Sequence, residues 1–330
     1  MEVLVTGGCG YIGSALVPLL QDAPDVDAVT VLDDLSASSP ANFLGTGLGT
    51  DDTIRFQRGD VTEYGDVETA VRGCDAIVHL AAVTGAASTY DRREETFRVN
   101  YGGTENVLRA AGKFDVDTVV FASSCNLYGR APSEDIDETT DPDPLNPYAE
   151  SKLEAESLLA EAAREYGFDA TALRMSTNYG YAPGIRFNLV VNRFVFRGLT
   201  NRPLTVYGDG SNWRPFVHVR DAARAYADAA RNPDRWPEHV YNVGHGAGNF
   251  QIAEVAEIVR QELDRSLDVT YLEDEHPGPS YHVNFDRVSD TGYEPTVDFR
   301  EGIRDLAARF DVSVEDPEPR PAAVEVIGRE

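Results

Sequence analysis

Hydrophobic and polar positions along this 330-residue chain follow two alternating rhythms. Short runs, apolar at nearly every position, stand at Val3–Thr6, Ala28–Asp33, Thr53–Gln57, Ala76–Leu80, Thr118–Ser123 and Ala170–Met175. That is the pattern of strands buried on both faces. Between them, Tyr11–Gln21, Asp66–Arg72, Arg93–Lys113 and Tyr148–Tyr166 carry their apolar residues at helical spacing. Strand and helix in alternation predict an α/β fold, a parallel doubly wound sheet whose right-handed crossovers lay helices on both faces.

Beyond Met175 the rhythm changes. Tyr181-Ala182-Pro183-Gly184 opens an irregular stretch. Asn188–Arg197, Asp221–Arg231, Gln251–Leu263 and Phe299–Phe310 read as helices, and Leu204–Tyr207, Phe216–Val219 and His239–Val243 as short strands. A turn at Pro277-Gly278-Pro279 precedes one more short strand, and the residues from Glu315 to Pro321 read as an extended tail.

Composition narrows the partners. The chain has 56 acidic against 29 basic side chains, a formal charge of −27, and no basic cluster to override it. Such a field repels phosphate, so neither nucleic acid nor an anionic membrane is expected as a partner. An apolar fraction of 42% with 26% charged residues belongs to a folded globule rather than a disordered chain. Two of the basic residues are lysines, Lys113 and Lys152, and the rest are arginine. Acid-rich, lysine-poor sequences suit a salt-rich cytoplasm, where screening shortens to about 3 Å at molar salt. They suit equally a GC-rich genome, whose codons favour arginine. The 3 cysteines are far apart without a CxxC, and the 6 histidines fall in neither HxxxH nor HExxH spacing, so no disulfide framework or metal site is expected. No basic leader opens the chain and no apolar run nears membrane-spanning length, so the expectation is a soluble, reduced, cytoplasmic protein.

Chemistry enters at the first strand's end, where Gly8-Cys9-Gly10-Tyr11-Ile12-Gly13 fits G-x-G-x-x-G between a strand and a helix. Glycines there permit a tight turn and close approach of a pyrophosphate, and the helix N-terminus supplies N–H groups to the anion. Asp33 closes the second strand, 20 residues past Gly13. A carboxylate in that place binds ribose hydroxyls and repels a 2′-phosphate, which favours NAD over NADP. Gly59-Asp60-Val61 and His79-Leu80-Ala81-Ala82 follow the third and fourth strands at the carboxyl edge, where such sheets bind ligands.

The fifth strand finishes in Ser123-Ser124-Cys125-Asn126-Leu127-Tyr128-Gly129, and Asn146-Pro147-Tyr148-Ala149-Glu150-Ser151-Lys152 opens a helix. Asn146 suits the N-cap and Pro147 the first turn, so Tyr148 and Lys152 stand one turn apart on one face. A free phenol titrates near pH ~10, too high for a base. A neighbouring ammonium favours the phenolate. An amphipathic helix could carry Tyr and Lys by chance, but that reading must also place one of two lysines at this spacing.

Taken together, Gly7-x-x-Gly10-x-x-Gly13, Asp33, Asp60-Val61, Asn100, the serine pair before Tyr128-Gly129 and Tyr148-x-x-x-Lys152 resemble the extended short-chain dehydrogenase/reductase family. Within it the chain is similar to the NAD-dependent epimerase/dehydratase group acting on nucleotide sugars, of which UDP-glucose 4-epimerase is typical. The resemblance runs from residue 2 to about residue 310 and includes the runs Trp213–Val219 and Tyr241–Gly244.

The resemblance implies a Rossmann-type domain over residues 1–175, with 214–243 returning to it. It also implies a smaller mixed α/β substrate-binding subdomain over 176–213 and 244–312, and a tail over 313–330. Gly7, Gly10, Tyr11, Ile12, Gly13, Asp33, Asp60, Val61, Leu80, Ala81, Ala82 and Asn100 would hold NAD. Tyr148 would be general base and acid, Lys152 would bind the nicotinamide ribose and tune Tyr148, and Ser124 would hydrogen-bond the reacting hydroxyl. Asn126, Thr177, Asn178, Asn188, Leu189, Arg214 and His276 would meet the nucleotide sugar, Arg214 at its diphosphate. Helices Arg93–Lys113 and Tyr148–Tyr166 resemble those that pair across the family's usual homodimer.

Departures from the family pattern bear on the reaction. Sugar 4,6-dehydratases of this group carry Thr-Asp-Glu where this chain reads Ser124-Cys125-Asn126, so no acid pair for eliminating water is present and a dehydratase is not expected. Thr177 stands where many relatives have the asparagine of Arg-x-x-Asn, with Asn178 one place late. His276 replaces a customary arginine. Cys125 resembles the acid/base cysteine of GDP-fucose synthase-like enzymes but is spaced differently from its tyrosine; the plainer reading is a small buried residue. The leading expectation is a UDP-glucose/UDP-galactose 4-epimerase-like enzyme with tightly held NAD. A net NAD(H)-linked sugar oxidoreductase is the alternative, and a non-catalytic NAD-sensing module the third.

Overall fold

In the computed structural model, residues 1–43, 53–85, 87–130, 135–273 and 278–310 are described. The expected ligand residue His276 and the tail 313–330 lie outside them. The chain opens with β1 (Glu2–Thr6), α1 (Gly13–Gln21), β2 (Ala28–Asp33), β3 (Ile54–Arg58), α2 (Tyr64–Val71) and β4 (Ala76–His79). Then come α3 (Arg93–Phe97), a π-helical turn (Arg98–Gly102), α4 (Gly103–Lys113), β5 (Thr118–Ser124), α5 (Pro147–Tyr166) and β6 (Asp169–Met175). The remainder is β7 (Thr177–Tyr179), α6 (Val190–Leu199), β8 (Leu204–Tyr207), β9 (Trp213–His218), α7 (Val219–Arg231), β10 (Val240–Val243), β11 (Asn249–Gln251), α8 (Ile252–Glu262), β12 (Val269–Leu272), α9 (Asp286–Asp290) and α10 (Phe299–Ala308).

Seven parallel strands form the central sheet in the order β10-β6-β5-β4-β1-β2-β3. This is a Rossmann-type α/β fold. Its strands are apolar throughout because both faces are covered. On one face Leu16, Val17 and Leu20 of α1 pack with the alanine-rich side of α7. On the other, Val67 and Val71 of α2, Val107 and Leu108 of α4, and Ala155 and Leu159 of α5 close a second core. Parallel register brings Thr6, Asp33, His79 and Ser124 to one edge, with Thr6 opposite both Leu32 and His79. The edge is thus a row of polar strand ends framed by loops.

A third core, built from Phe194 and Val195, Leu204 and Val206, Val255 and Val259, and Ile303 and Leu306, joins α6, β8, α8 and α10. Two small sheets, β11-β9-β7 and β12-β8, accompany it.

Some elements differ from the sequence expectation. Arg93–Lys113, expected as one helix, is α3 and α4 separated by the π turn. The stretch expected to be irregular is preceded by β7, three residues that pair with β9. β11, β12 and α9 had no sequence signal, because each is short and mostly half-buried or exposed. The strand expected after Pro279 is reduced to isolated bridges, Ser280 with Arg130 and Val283 with Ile136.

Candidate active site

The glycine loop is shaped by contact. Gly7 has φ +68°, and a Cβ there would lie 2.7 Å from the Ala81 nitrogen. A Cβ at Gly13 would collide with the Gly8 carbonyl oxygen. A side chain at Gly7 would push the loop off the segment after β4, and one at Gly13 would force the loop away from the start of α1, where a pyrophosphate would be held. Asp33 lies beside it, largely buried; its carboxylate accepts the Cys9 and Leu35 N–H groups, each at 2.9 Å, and the Ser38 hydroxyl at 2.8 Å. The Tyr11 phenol donates to the Gly180 carbonyl at 2.6 Å. The loop carrying Asp60 and Val61 is anchored by Asp66, which accepts the Asp60 N–H at 2.9 Å, and by Asn106, which donates to the Val61 carbonyl at 3.0 Å.

Leu80, Ala81 and Ala82 run on from β4, stitched to β1 by Leu80 N–H to Thr6 O at 3.1 Å. A directional chain lies beneath them. Thr104 donates its one hydroxyl proton to the Asn100 carbonyl at 2.5 Å, so it accepts from His79 Nε2 at 3.1 Å. His79 is then the Nε2–H tautomer, and its bare Nδ1 accepts the Thr6 hydroxyl at 2.6 Å. Thr6 Oγ1 in turn accepts the Ala81 N–H at 3.2 Å. Burial, aided by the Lys152 charge, lowers the His79 pKa to about 3, keeping the ring neutral as this chain requires.

Asn100 occupies the π turn and is fully buried. Its carboxamide accepts the Val83 N–H at 2.8 Å and donates to the Val83 carbonyl and the Ser151 hydroxyl, each at 3.0 Å. The residue thus fastens the loop after β4 to the first turns of α5. π turns recur at functional sites, where one extra residue re-aims side chains.

Helix α5 begins as its sequence dictates: Asn146 caps the Ala149 N–H at 3.0 Å and Pro147 takes the first turn. Tyr148 is half-buried and Lys152 buried at 2% exposure. Burial raises the Tyr148 phenol above its ordinary value, while hydrogen bonding by Ser124 and the charge of Arg186 act to lower it. Lys152 stands 4.6 Å over the Phe121 ring, and desolvation, partly offset by Glu156, lowers its pKa to about 7. Arg186, whose charge acts to lower the Tyr148 phenol, is a residue that sequence reasoning missed. It lies in the 180–189 loop, where no periodicity marks it.

Behind the helix, Arg174 and Glu156 form a buried ion pair at 2.8 Å. Ser123 donates to the same carboxylate, and Arg174 also donates to the Tyr128 phenol at 2.9 Å. The arginine of the expected Arg-x-x-Asn segment thus braces α5 against β5 and β6. Cys125 is 1% exposed, donates to the Arg174 carbonyl at 3.0 Å, and has its thiol pushed up to about 12 by burial. This thiol is poorly suited to acid/base chemistry.

The expected substrate residues divide. Ser124 and Asn126 are near Tyr148: Ser124 Oγ accepts the Asn126 N–H at 3.2 Å, and Asn126 accepts from Asn146 at 2.9 Å. Asn126 acts to lower the Tyr281 phenol, which burial raises, and the Tyr281 ring lies 5.1 Å under Arg214. Arg214 is held by the Trp213 carbonyl at 2.7 Å and by the Pro279 carbonyl. Thr177 and Asn178 lie in β7, where the buried Asn178 Oδ1 has no protein partner among the described residues. Asn188 is exposed and Leu189 is the N-cap of α6.

Fold and glycine cradle are those of a dinucleotide-binding protein, and comparison with known proteins sharpens this. The sequence profile of the NAD dependent epimerase/dehydratase family matches residues 3–244. A dTDP-glucose 4,6-dehydratase of Streptomyces niveus is 31% identical over 311 residues, covering 92% of this chain and 90% of that protein. A UDP-N-acetylglucosamine 4-epimerase of Methanobrevibacter ruminantium, solved in complex with UDP-N-acetylmuramic acid, superposes with a TM-score of 0.84 at 27% identity, covering 94% of this chain and 97% of that one. A UDP-glucose 4-epimerase of Thermus thermophilus, solved with NAD, gives 0.82 at 30% identity, covering 95% of this chain and all of that one. The chain belongs to the NAD-dependent epimerase/dehydratase family, and its cofactor is NAD. No described helix is long and apolar enough to cross a membrane.

Proposed function

We propose that this chain is a nucleotide-sugar epimerase of the UDP-glucose/UDP-galactose type, inverting C4. The observation that carries the reading is the Ser124–Tyr148–Lys152 constellation without a carboxylic acid at positions 125 and 126. Bound NAD supplies a hydride acceptor that becomes the donor in the return step. Tyr148 takes the proton of the sugar hydroxyl and gives it back, Ser124 aligns that hydroxyl, and Lys152 holds the nicotinamide ribose. Removal of water would require an acid beside the leaving hydroxyl, and an amide and a buried thiol are poor substitutes. The glycine loop, Asp33, Asp60, Val61 and the 80–82 loop take the cofactor in this reading. Asn126, Thr177, Asn178, Asn188, Leu189 and Arg214 meet the nucleotide sugar in this reading, partly on the subdomain of residues 176–213 and 244–312, and His276, outside the described residues, is the seventh expected contact. A homodimer through α3–α4 and α5, working in a salt-rich cytoplasm, completes the proposal.

NMR of a nucleotide-sugar panel incubated with the purified protein at high salt tests it. Interconversion of UDP-glucose and UDP-galactose without free NADH is the expected outcome. Stoichiometric NADH turnover would replace the proposal with a net oxidoreductase, and a 4-keto-6-deoxy product with a dehydratase.

A further inference from the structure

Beyond its charge acting on the Tyr148 phenol, Arg186 has no ligand assigned to it in the proposed function. Its backbone carbonyl is held by Asn192 Nδ2 at 3.1 Å, and Asn192 also anchors Gly180 N–H at 2.9 Å, so the loop carrying it is fixed at both ends. The loop presses on the nucleotide cradle, since a Cβ on Gly184 would lie 2.7 Å from the Gly10 carbonyl oxygen. The guanidinium is half-buried, with Nε donating to Asn188 Oδ1 at 3.3 Å and Nη1 to Thr84 Oγ1. Both partners are neutral. Three of the five N–H donors of an arginine are thus unused among the described residues.

The partner choice is unusual for this molecule. Carboxylates outnumber cations by 56 to 29, and the buried Arg174 is paired with Glu156. Arg186 has no carboxylate partner among the described residues and is faced by the phenols of Tyr148 and Tyr11, with burial lowering its pKa. A desolvated cation with spare forked donors is costly unless an oxyanion completes it.

We propose that Arg186 is a second oxyanion-binding residue of the cleft, taking a carboxylate or phosphate oxygen of the ligand that lies against Tyr148. The proposal rests on the nucleotide-sugar reading. The proposed function gives Arg214 to the substrate diphosphate, so a carboxylate on the sugar is the expected source, which extends the proposed substrate class from UDP-glucose and UDP-galactose to a nucleotide-activated hexuronate.

Equilibrium binding of UDP-glucuronate, UDP-glucose, UDP and NAD to the wild-type protein, R186Q and R186K tests this. R186Q is expected to weaken UDP-glucuronate by about tenfold or more, with the other three little changed, and R186K to recover part of the loss. Equal weakening of all three uridine ligands would assign Arg186 to the substrate diphosphate. Weakening confined to NAD would assign it to the cofactor diphosphate. Binding of all four within about twofold of wild type, by R186Q or by R186K if R186Q does not fold, would overturn the proposal.

The pH dependence of turnover is a second readout. Tyr148 is faced by Ser124 and Cys125 at the end of β5, Lys152 on its own helix, Tyr226 on α7, Tyr281 beside Asn126, and Arg186. Loss of the cation should move the acid limb upward, whereas simple loosening of the loop would not. Absence of turnover on every nucleotide sugar would sink the epimerase reading while the binding comparison still decided the fate of Arg186.

Discussion

Tyr148 is held between opposing influences: its surroundings raise the phenol, and Ser124 and Arg186 favour its anion. Tyr148→Phe removes only the hydroxyl. It should cost about 10²–10⁴-fold in kcat with an unchanged melting temperature, as general acid–base groups typically do. Activity assays beside thermal melts check this, and retained turnover would remove Tyr148 from the chemistry. Lys152 makes a prediction of opposite sign. Its folded pKa of about 7 lies below the usual lysine value of 10.5, so between those values the unfolded chain binds a proton the native state lacks. Stability from this group therefore rises with pH across that window, and the lysine is most destabilising below it. In cofactor-stripped protein, Lys152→Met should melt higher than wild type at about pH 7, and the gap should narrow toward about pH 10. A constant gap would show that the lysine is not desolvated. The pair was legible in sequence because lysine is so scarce here. Arg186 and Glu156 were not, since one sits in a loop without period and the other is one more acid in an acid-rich helix.

At the scale of elements, the parallel sheet was legible because strands buried on both faces must be apolar at successive positions. The π turn was not. The amphipathic pattern through Arg93–Lys113 is nearly continuous, and the extra residue is accommodated through Asn100, whose carboxamide has three partners. Asn100→Ala would leave the Val83 N–H and C=O without these partners. An expected cost of about 1–3 kcal/mol follows for unsatisfied buried groups. Chemical denaturation measures it, and a cost below about 0.5 kcal/mol would mean that other groups replace the carboxamide. Turnover should fall as well, because the 80–84 loop and the Lys152 helix lose their common anchor. β7, β11 and β12 escaped notice for the opposite reason. With three or four residues of mixed exposure, they carry no alternation long enough to distinguish from loop.

At the scale of the whole molecule, a formal charge of −27 sits on a fold whose buried ion pairing, among the described residues, is confined to a few places such as Arg174–Glu156. The exposed arginine–carboxylate pairs, among them Arg92–Glu95 and Arg260–Glu257, contribute little each and leave most of the acidic excess unneutralised. Self-repulsion is greater in the compact state than in the expanded chain, so screening should favour folding. The Debye length falls from about 30 Å at 0.01 M to about 3 Å at 1 M salt, which takes the repulsion from molecule-wide to local. The melting temperature should therefore rise steeply over the first few tenths molar of KCl, even though the surface ion pairs weaken over the same range. Sodium sulfate at equal ionic strength separates this from salting-out: screening alone predicts coincident curves at low concentration, with sulfate pulling ahead only near molar salt. A melting temperature flat or falling with KCl would mean that attractive pairs outweigh the net charge. The acidic surface would then bring no stabilisation by salt, and arginine-for-lysine usage would follow from codon composition alone.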